Sequence, residues 1–219
     1  MRKNFTEIVF ILDESGSMCD LVKDTIGGFN SLINKQKNEE GEAVVSTILF
    51  SNSSRILHDR IPLAEVEKMT EKDYCPNGCT ALLDAVGDAV KHIAKIHKYA
   101  REEDVPEHTL FVITTDGMEN ASRHYTSKDV KKLISRQQEE QGWEFVFLGA
   151  NIDAAETAES IGIAKETAVD YLCDELGSEI QYEAMSAAVT SVRRGMKLKQ
   201  SAGWRAAADK DFKSRQGRK

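Results

Sequence analysis

Asp13, Ser15 and Ser17 alternate along a short polar stretch, Asp13-Glu14-Ser15-Gly16-Ser17, directly after an apolar run from Ile8 to Leu12. One carboxylate and two hydroxyls converging on a point make a hard-oxygen site of the kind that suits magnesium. Gly16 lets the backbone turn sharply between the serines. A second acid, Asp116, ends the β-branched and apolar run Thr109–Thr115 and precedes Gly117. Thr80 follows the turn-rich stretch 73–79 and precedes a helical pattern that begins at Ala81.

The elements around these residues decide whether they can meet. The run Ile8–Leu12 is too short for a helix core and suits a buried strand. Apolar residues three to four apart predict a helix over 18–36 (Leu21, Val22, Ile26, Phe29, Leu32, Ile33), in which Gly27 and Gly28 are expected to allow close packing against the sheet. Ala43–Phe50 and 55–61 read as two strands joined by the turn 51–54, an antiparallel hairpin closing at Pro62. A short helix is expected around 64–69 and a long one over 81–99. The clearest strand is 109–115. A helix starting at Thr126 and Asp129 follows, then a strand at 144–148 and a helix capped by Asp153 and Glu156 that ends near Gly162. Thr167–Leu172 reads as the last strand, and Ser178 with Gln181 resembles a capping box for a final helix.

This alternation predicts an α/β fold, with a mostly parallel central sheet of about six strands, one antiparallel hairpin strand and helices on both faces. In such a sheet the carboxyl ends of the strands share one edge. If the first strand and 109–115 are neighbours, Asp13 and Asp116 face each other across one crevice. Thr80, ahead of the helix that leads into the second of these strands, reaches the same crevice.

Asp13-Glu14-Ser15-Gly16-Ser17, Thr80 before Ala-Leu-Leu, and Thr115-Asp116-Gly117 together resemble the three motifs of a von Willebrand factor A (vWA) domain. They match that family's metal-ion-dependent adhesion site (MIDAS) in order and in place. The resemblance covers roughly residues 5–175. It implies a Rossmann-like vWA fold in which Ser15, Ser17 and Thr80 offer hydroxyls to a Mg²⁺ (or Mn²⁺), with Asp13 and Asp116 holding it directly or through water. It further implies that an Asp or Glu of a partner protein completes the coordination. Members in bacterial cytoplasm resemble adaptors for ATPase machines or stress-response assemblies. Each residue also has a plain structural reading: Ser15 and Ser17 as caps for a helix at Met18, Thr80 as a cap at Ala81, Asp116 as the acceptor of an Asx turn. Glu14 is expected to point away from the site, because neighbours in an extended segment face opposite ways. Asn120, Asn151 and Asp153 lie near strand ends and can rim the crevice, Asp153 reading first as a helix cap.

Bulk properties narrow the function. The 219 residues are 41% hydrophobic and 30% charged, the composition of an ordinary globular protein. There is no apolar stretch of about 18 residues to span a membrane, and the first apolar run is too short for a signal-peptide core. The expected location is therefore cytoplasmic. Net charge is −7, but residues 193–219 carry ten Lys or Arg against Asp209 and Asp211, a surplus of eight that leaves −15 on residues 1–192. The acidic body argues against a nucleic-acid face. A vWA domain is expected over 1–196, with 197–219 a basic, flexible tail. Cys19, Cys75, Cys79 and Cys173 show no C-x-x-C spacing and read as reduced residues that pack.

The leading expectation is a magnesium-dependent protein-interaction module, an adaptor and not an enzyme. One alternative is a magnesium-dependent phosphoryl-transfer enzyme with Asp13 as nucleophile. Ser15 stands where such chemistry would place a second acid, and no G-x-x-x-x-G-K-[ST] loop is present. His58, His92, His97, His108 and His124 are scattered, and none pairs with an obvious nucleophile. A further alternative is a nucleic-acid or membrane-surface adaptor working through the basic tail.

Overall fold

The apolar run near the start of the chain becomes the central strand of a six-stranded sheet. In the computed structural model, which describes residues 1–200 and 202–216, β1 (Arg2–Asp13) lies between β2 (Glu42–Phe50) and β4 (Pro106–Thr115). β3 (Ser54–Pro62) extends one side; β5 (Glu144–Ala150) and β6 (Ala168–Tyr171) extend the other. The order is β3-β2-β1-β4-β5-β6, parallel throughout except for the β2–β3 hairpin. β1 runs longer than its apolar core because it pairs on both sides, from Phe5↔Glu42 to Asp13↔Phe50 and from Thr6↔His108 to Leu12↔Thr114.

Successive side chains of a strand face opposite ways, and β1 divides accordingly. Ile8, Phe10 and Leu12 join one core with α1 (Val22–Lys37) and α5 (Glu175–Arg193). Val9 and Ile11 join a second core with α2 (Leu82–Tyr99), α3 (Ser127–Gln141) and α4 (Ala154–Ser160). Burial on both faces is why these strands read as unbroken apolar runs. Glu7, in the middle of β1, is a fully buried acid. Arg60 Nε of β3 donates to Glu7 Oε1 at 2.8 Å, and His97 Nε2 of α2 lies 2.5 Å from Oε2. A buried carboxylate is tolerated only when paired, so this trio ties β3 and α2 to the central strand.

Three elements differ from the sequence reading. The expected helix over 64–69 is a single turn, Leu63–Glu65. Beyond it the chain is held extended along α1: Asn30 Nδ2 donates to the Met69 carbonyl and Met69 N donates to Asn30 Oδ1, both at 2.9 Å. The last long helix, α5, starts at Glu175, with Asp174 Oδ1 accepting from Gly177 N at 2.8 Å. Ser178 and Gln181 are buried within that helix rather than capping it. The third difference is the tail.

Residues 198–200 and 202–216, read from composition as flexible, are folded. Leu198–Gln200 and Gly203–Arg205 form single turns, and α6 spans Ala206–Gln216. Leu198, Trp204 and Ala208 are buried in the core shared with α5. Arg205 donates to the carbonyls of Lys165 and Glu166 at 3.0 and 2.9 Å, and pairs with Asp209 one turn on. Arg215 pairs with Asp211 and reaches Asp174 at 2.7 Å. The basic composition conceals three apolar anchors, and much of its charge is matched locally. Ser201 and 217–219, the rest of the expected tail, lie outside the described residues.

Gly27 and Gly28 separate in role. A Cβ on Gly28 would lie 2.2 Å from the ring of buried Tyr182 on α5, whereas one on Gly27 would meet nothing within 4 Å. The close approach is therefore helix to helix, not helix to sheet. Gly28→Ala is expected to destabilise the protein by about 1–3 kcal/mol through overpacking. Gly27→Ala should stabilise it by roughly 0.5–1 kcal/mol, because alanine is the better helix former. Urea unfolding of the two variants should show shifts of opposite sign.

Candidate metal centre

β1 and β4 are neighbours, so Asp13 and the Thr115-Asp116-Gly117 turn do meet at the carboxyl edge of the sheet. This is where connections leave β1 and β4 toward opposite faces, the position at which open α/β sheets bind ligands. Asp13 Oδ1 accepts from Ser15 N at 2.7 Å, and Oδ2 accepts from Thr115 Oγ1 at 2.6 Å. Ser15 Oγ and Ser17 Oγ are 3.1 Å apart, and Ser17 Oγ donates to Asp116 Oδ1 at 2.5 Å. Thr80 is brought to the same place: a Cβ built on Gly117 would lie 3.5 Å from Thr80 Oγ1 and 3.9 Å from Ser17 Oγ. Gly117 thus borders both hydroxyls.

The plain structural readings of these residues do not describe what they do. Ser15 precedes the turn Gly16–Leu21 but makes no side-chain cap, and α2 begins at Leu82 with Ala81, not Thr80, in the cap position. The turn after β4 is made by Thr115, whose hydroxyl contacts both the nitrogen and the carbonyl of Gly117. The hydroxyls of Ser15, Ser17 and Thr80 are thus left for one another and for Asp116.

The electrostatics are unbalanced. Asp13 and Asp116 are both nearly inaccessible, at 1% and 3% exposure. Burial pushes the Asp13 carboxyl above the usual range; hydrogen bonds from Ser15 and Thr115 pull it down, and Asp116 adds to the rise. Burial likewise raises Asp116, against the Ser17 hydrogen bond. Neither carboxylate takes part in an ion pair among the described residues. Two buried carboxylates with hydroxyl neighbours and no positive partner fit a divalent cation with hard-oxygen preference. Among the described residues no group of three or more His, Cys, Asp or Glu is placed to hold a metal, so a thiolate- or imidazole-rich centre does not compete.

A supporting layer surrounds these residues, and of it the sequence named only Glu14 and Asn120. Tyr74 Oη donates to the Asp13 carbonyl at 2.5 Å. Glu14 does point away from the site, toward the neighbouring loops. Its Oε1 accepts from Arg55 Nη2 at 2.9 Å and from Cys75 N at 2.8 Å. With Gly16 N donating to Gly78 O and Asn77 N to Glu14 O, it fastens the loop that carries Thr80 onto the first motif. Asn120 Oδ1 accepts from Thr80 N and Asn120 N donates to Thr80 O, at 2.9 and 3.1 Å. Glu119 accepts from Leu83 N at the start of α2. For Tyr74 and Glu119 the only cue in the sequence was polar residues crowding two loops. Asn151 Nδ2 reaches the Asp116 carbonyl at 3.4 Å, and Asp153 caps α4 through Glu156 N at 2.8 Å. The cysteines are unpaired, but Cys19, Cys75 and Cys79 are exposed in loops rather than packed, and Cys173 is half-buried.

No family model matches the chain, and no curated protein matches it in sequence. Solved structures do match in shape. Proximal thread matrix protein 1 from the mussel byssus superposes with a TM-score of 0.61 at 16% identity, covering 85% of this chain and 46% of that one. A second structure of that protein, described as having a zinc-occupied MIDAS motif, gives 0.58 at 17% identity, covering 85% and 46%. A von Willebrand factor type A protein from Catenulispora acidiphila gives 0.56 at 15% identity, covering 85% and 43%. The chain therefore spans less than half the length of these structures. The similarity lies in the architecture: this chain has the fold of a von Willebrand factor A domain.

Proposed function

We propose that this chain is a metal-dependent protein-interaction module that binds, without catalysis, an acidic residue of a partner protein. Mg²⁺ is the cation the donors favour, with Mn²⁺ the closest substitute. Ser15, Ser17 and Thr80 would hold it through hydroxyls, and Asp13 and Asp116 directly or through water. When bound, the ion supplies positive charge at a surface that otherwise presents only oxygen. Hydroxyls are neutral and the protein carboxylates few, so the ion retains an appetite for one more anionic oxygen, which an Asp or Glu can satisfy. A role as a cytoplasmic adaptor, for example to an ATPase or stress-response assembly, belongs to the same proposal. The observation that carries it is the buried pair Asp13 and Asp116, linked through Ser15 and Ser17 and without a cationic side chain.

At magnesium about ten times its dissociation constant the protein should gain roughly 1.4 kcal/mol, a melting shift of about 3–6 °C for a domain of this size. A chelator should remove it. In a pull-down from lysate with magnesium present, a partner retained by the wild type should be lost with Asp116→Ala. No thermal or calorimetric response to Mg²⁺ or Mn²⁺ would refute the metal claim. Magnesium-dependent phosphate-ester turnover abolished by Asp13→Asn would refute the claim of binding without catalysis.

A further inference from the structure

The loops around the candidate site carry a pattern of their own. Besides the loop that carries Thr80, which has four acids against Lys68 and Lys72, four loops border it at the carboxyl edge: 14–21 after β1, 116–126 after β4, 151–153 after β5 and 172–174 after β6. Together these four hold six carboxylates and a single Lys or Arg, Arg123. Two of the six are occupied in holding the loops, Glu14 by Arg55 and Glu119 by backbone amides, and Asp174 is bound to Arg215. That leaves Asp116 at the site, with Asp20 exposed beside it and Asp153 also exposed, one of its oxygens capping α4. Asp20 lies in the same short turn as Ser17, Gly16–Leu21, three residues further along. Asn151 brings the Asp153 loop against the Asp116 carbonyl. The second part of the pattern is apolar. Met118 is 74% exposed, one residue beyond the glycine that borders Thr80 and Ser17, and Leu176 is 47% exposed in the first turn of α5.

This surface makes conflicting demands on a partner. A metal at the site attracts a carboxylate, while the rim repels any further negative charge. A partner presenting a plain acidic patch would meet Asp20 and Asp153 with like charge, which is how interfaces reject wrong partners. One acid set among basic residues satisfies both demands. Resting on the metal-dependent reading above, we propose that the partner segment carries its metal-seeking Asp or Glu between Lys or Arg residues, with a large apolar side chain nearby that covers Met118. The acid provides the anchor, the flanking bases choose this rim, and Met118, with its adaptable thioether side chain, provides apolar contact.

The test is a phage-displayed peptide library with a fixed central Asp and random flanks, selected on the full chain in magnesium. A library with central Asn and a selection in chelator run beside it. The expected result is enrichment of Lys and Arg in the flanks, roughly two- to fivefold per contact, as rim ion pairs allow, together with a large apolar residue. Asp20→Lys should reduce the basic enrichment, and Met118→Ser should remove the apolar one. Both positions are exposed, and unchanged melting temperatures would confirm that the variants fold. Enriched peptides that need Asp and magnesium but show neutral or acidic flanks would overturn this proposal and leave the metal-dependent function standing. Equal recovery from the Asn library, or in chelator, would overturn that function instead. No enrichment in any arm counts against both.

Discussion

Ending the chain after Met196 is expected to cost about 5 kcal/mol or more of unfolding free energy, leaving a domain that is marginal at 25 °C. Leu198, Trp204 and Ala208 leave the core that α5 shares with the sheet. Truncating a buried Trp alone costs about 3–5 kcal/mol, against a typical net stability of about 5–15 kcal/mol. The ion pairs add little, since Arg205 with Asp209 and Arg215 with Asp211 lie near the surface. Trp204→Ala in the full chain isolates the main contribution and should cost about 3–5 kcal/mol in urea unfolding. Trp204→Phe should be much milder, because the indole Nε1 is buried without an acceptor and its removal relieves an unmet polar group. Because α6 lies against β6, the last strand of the sheet, truncation should also speed amide exchange in Ala168–Tyr171. A flexible tail would give none of these effects, so an unchanged urea midpoint for Trp204→Ala would refute the packing.

Asp116→Asn is expected to reverse the order of stability according to whether metal is present. In chelator, Asp13 and Asp116 are two buried carboxylates without a cation, and each raises the cost of charging the other. Removing one charge should therefore raise the melting temperature above that of the wild type. With saturating magnesium the wild type gains roughly 1.4 kcal/mol at ten times the dissociation constant, and more at higher concentration, while the variant gains little. The two melting curves should cross in rank between the conditions. Asn retains an oxygen to accept from Ser17, so the local geometry survives the change. A variant less stable than wild type in both conditions would mean that Asp116 is a structural residue rather than half of a cation site.

The central part of this fold was legible because its signals were local and repeated. Ile8–Leu12 and Thr109–Thr115 are apolar runs bounded by turn residues, and both became buried strands. The tail was not legible because its burial depends on Trp204 and Leu198 finding α5, a contact made by a segment whose own composition is polar. The helix expected at 64–69 failed for a similar reason: a single distant side chain, Asn30, bonds both backbone groups of Met69 and holds them out of a helix. α5 starts three residues before the expected cap because two sets of polar residues, Asp174 and Ser178 with Gln181, each supply a plausible start. Burial chose between them.

The sequence by itself determined which side chains stand at the carboxyl ends of β1 and β4 and before α2, because strand runs, turn residues and acid positions are written along the chain. Asp13, Ser15, Ser17, Thr80 and Asp116 could be named from that alone. Only the tertiary structure decided that β1 and β4 lie side by side, so that Ser17 bonds Asp116 across 99 residues of sequence. It also decided that Glu14 fastens the Thr80 loop, and that Glu7, an acid in the most buried strand, is matched by Arg60 and His97. The physical reason is common to these cases. Local patterns set the direction of a side chain, but burial and charge balance depend on which distant groups the sheet order brings within bonding distance.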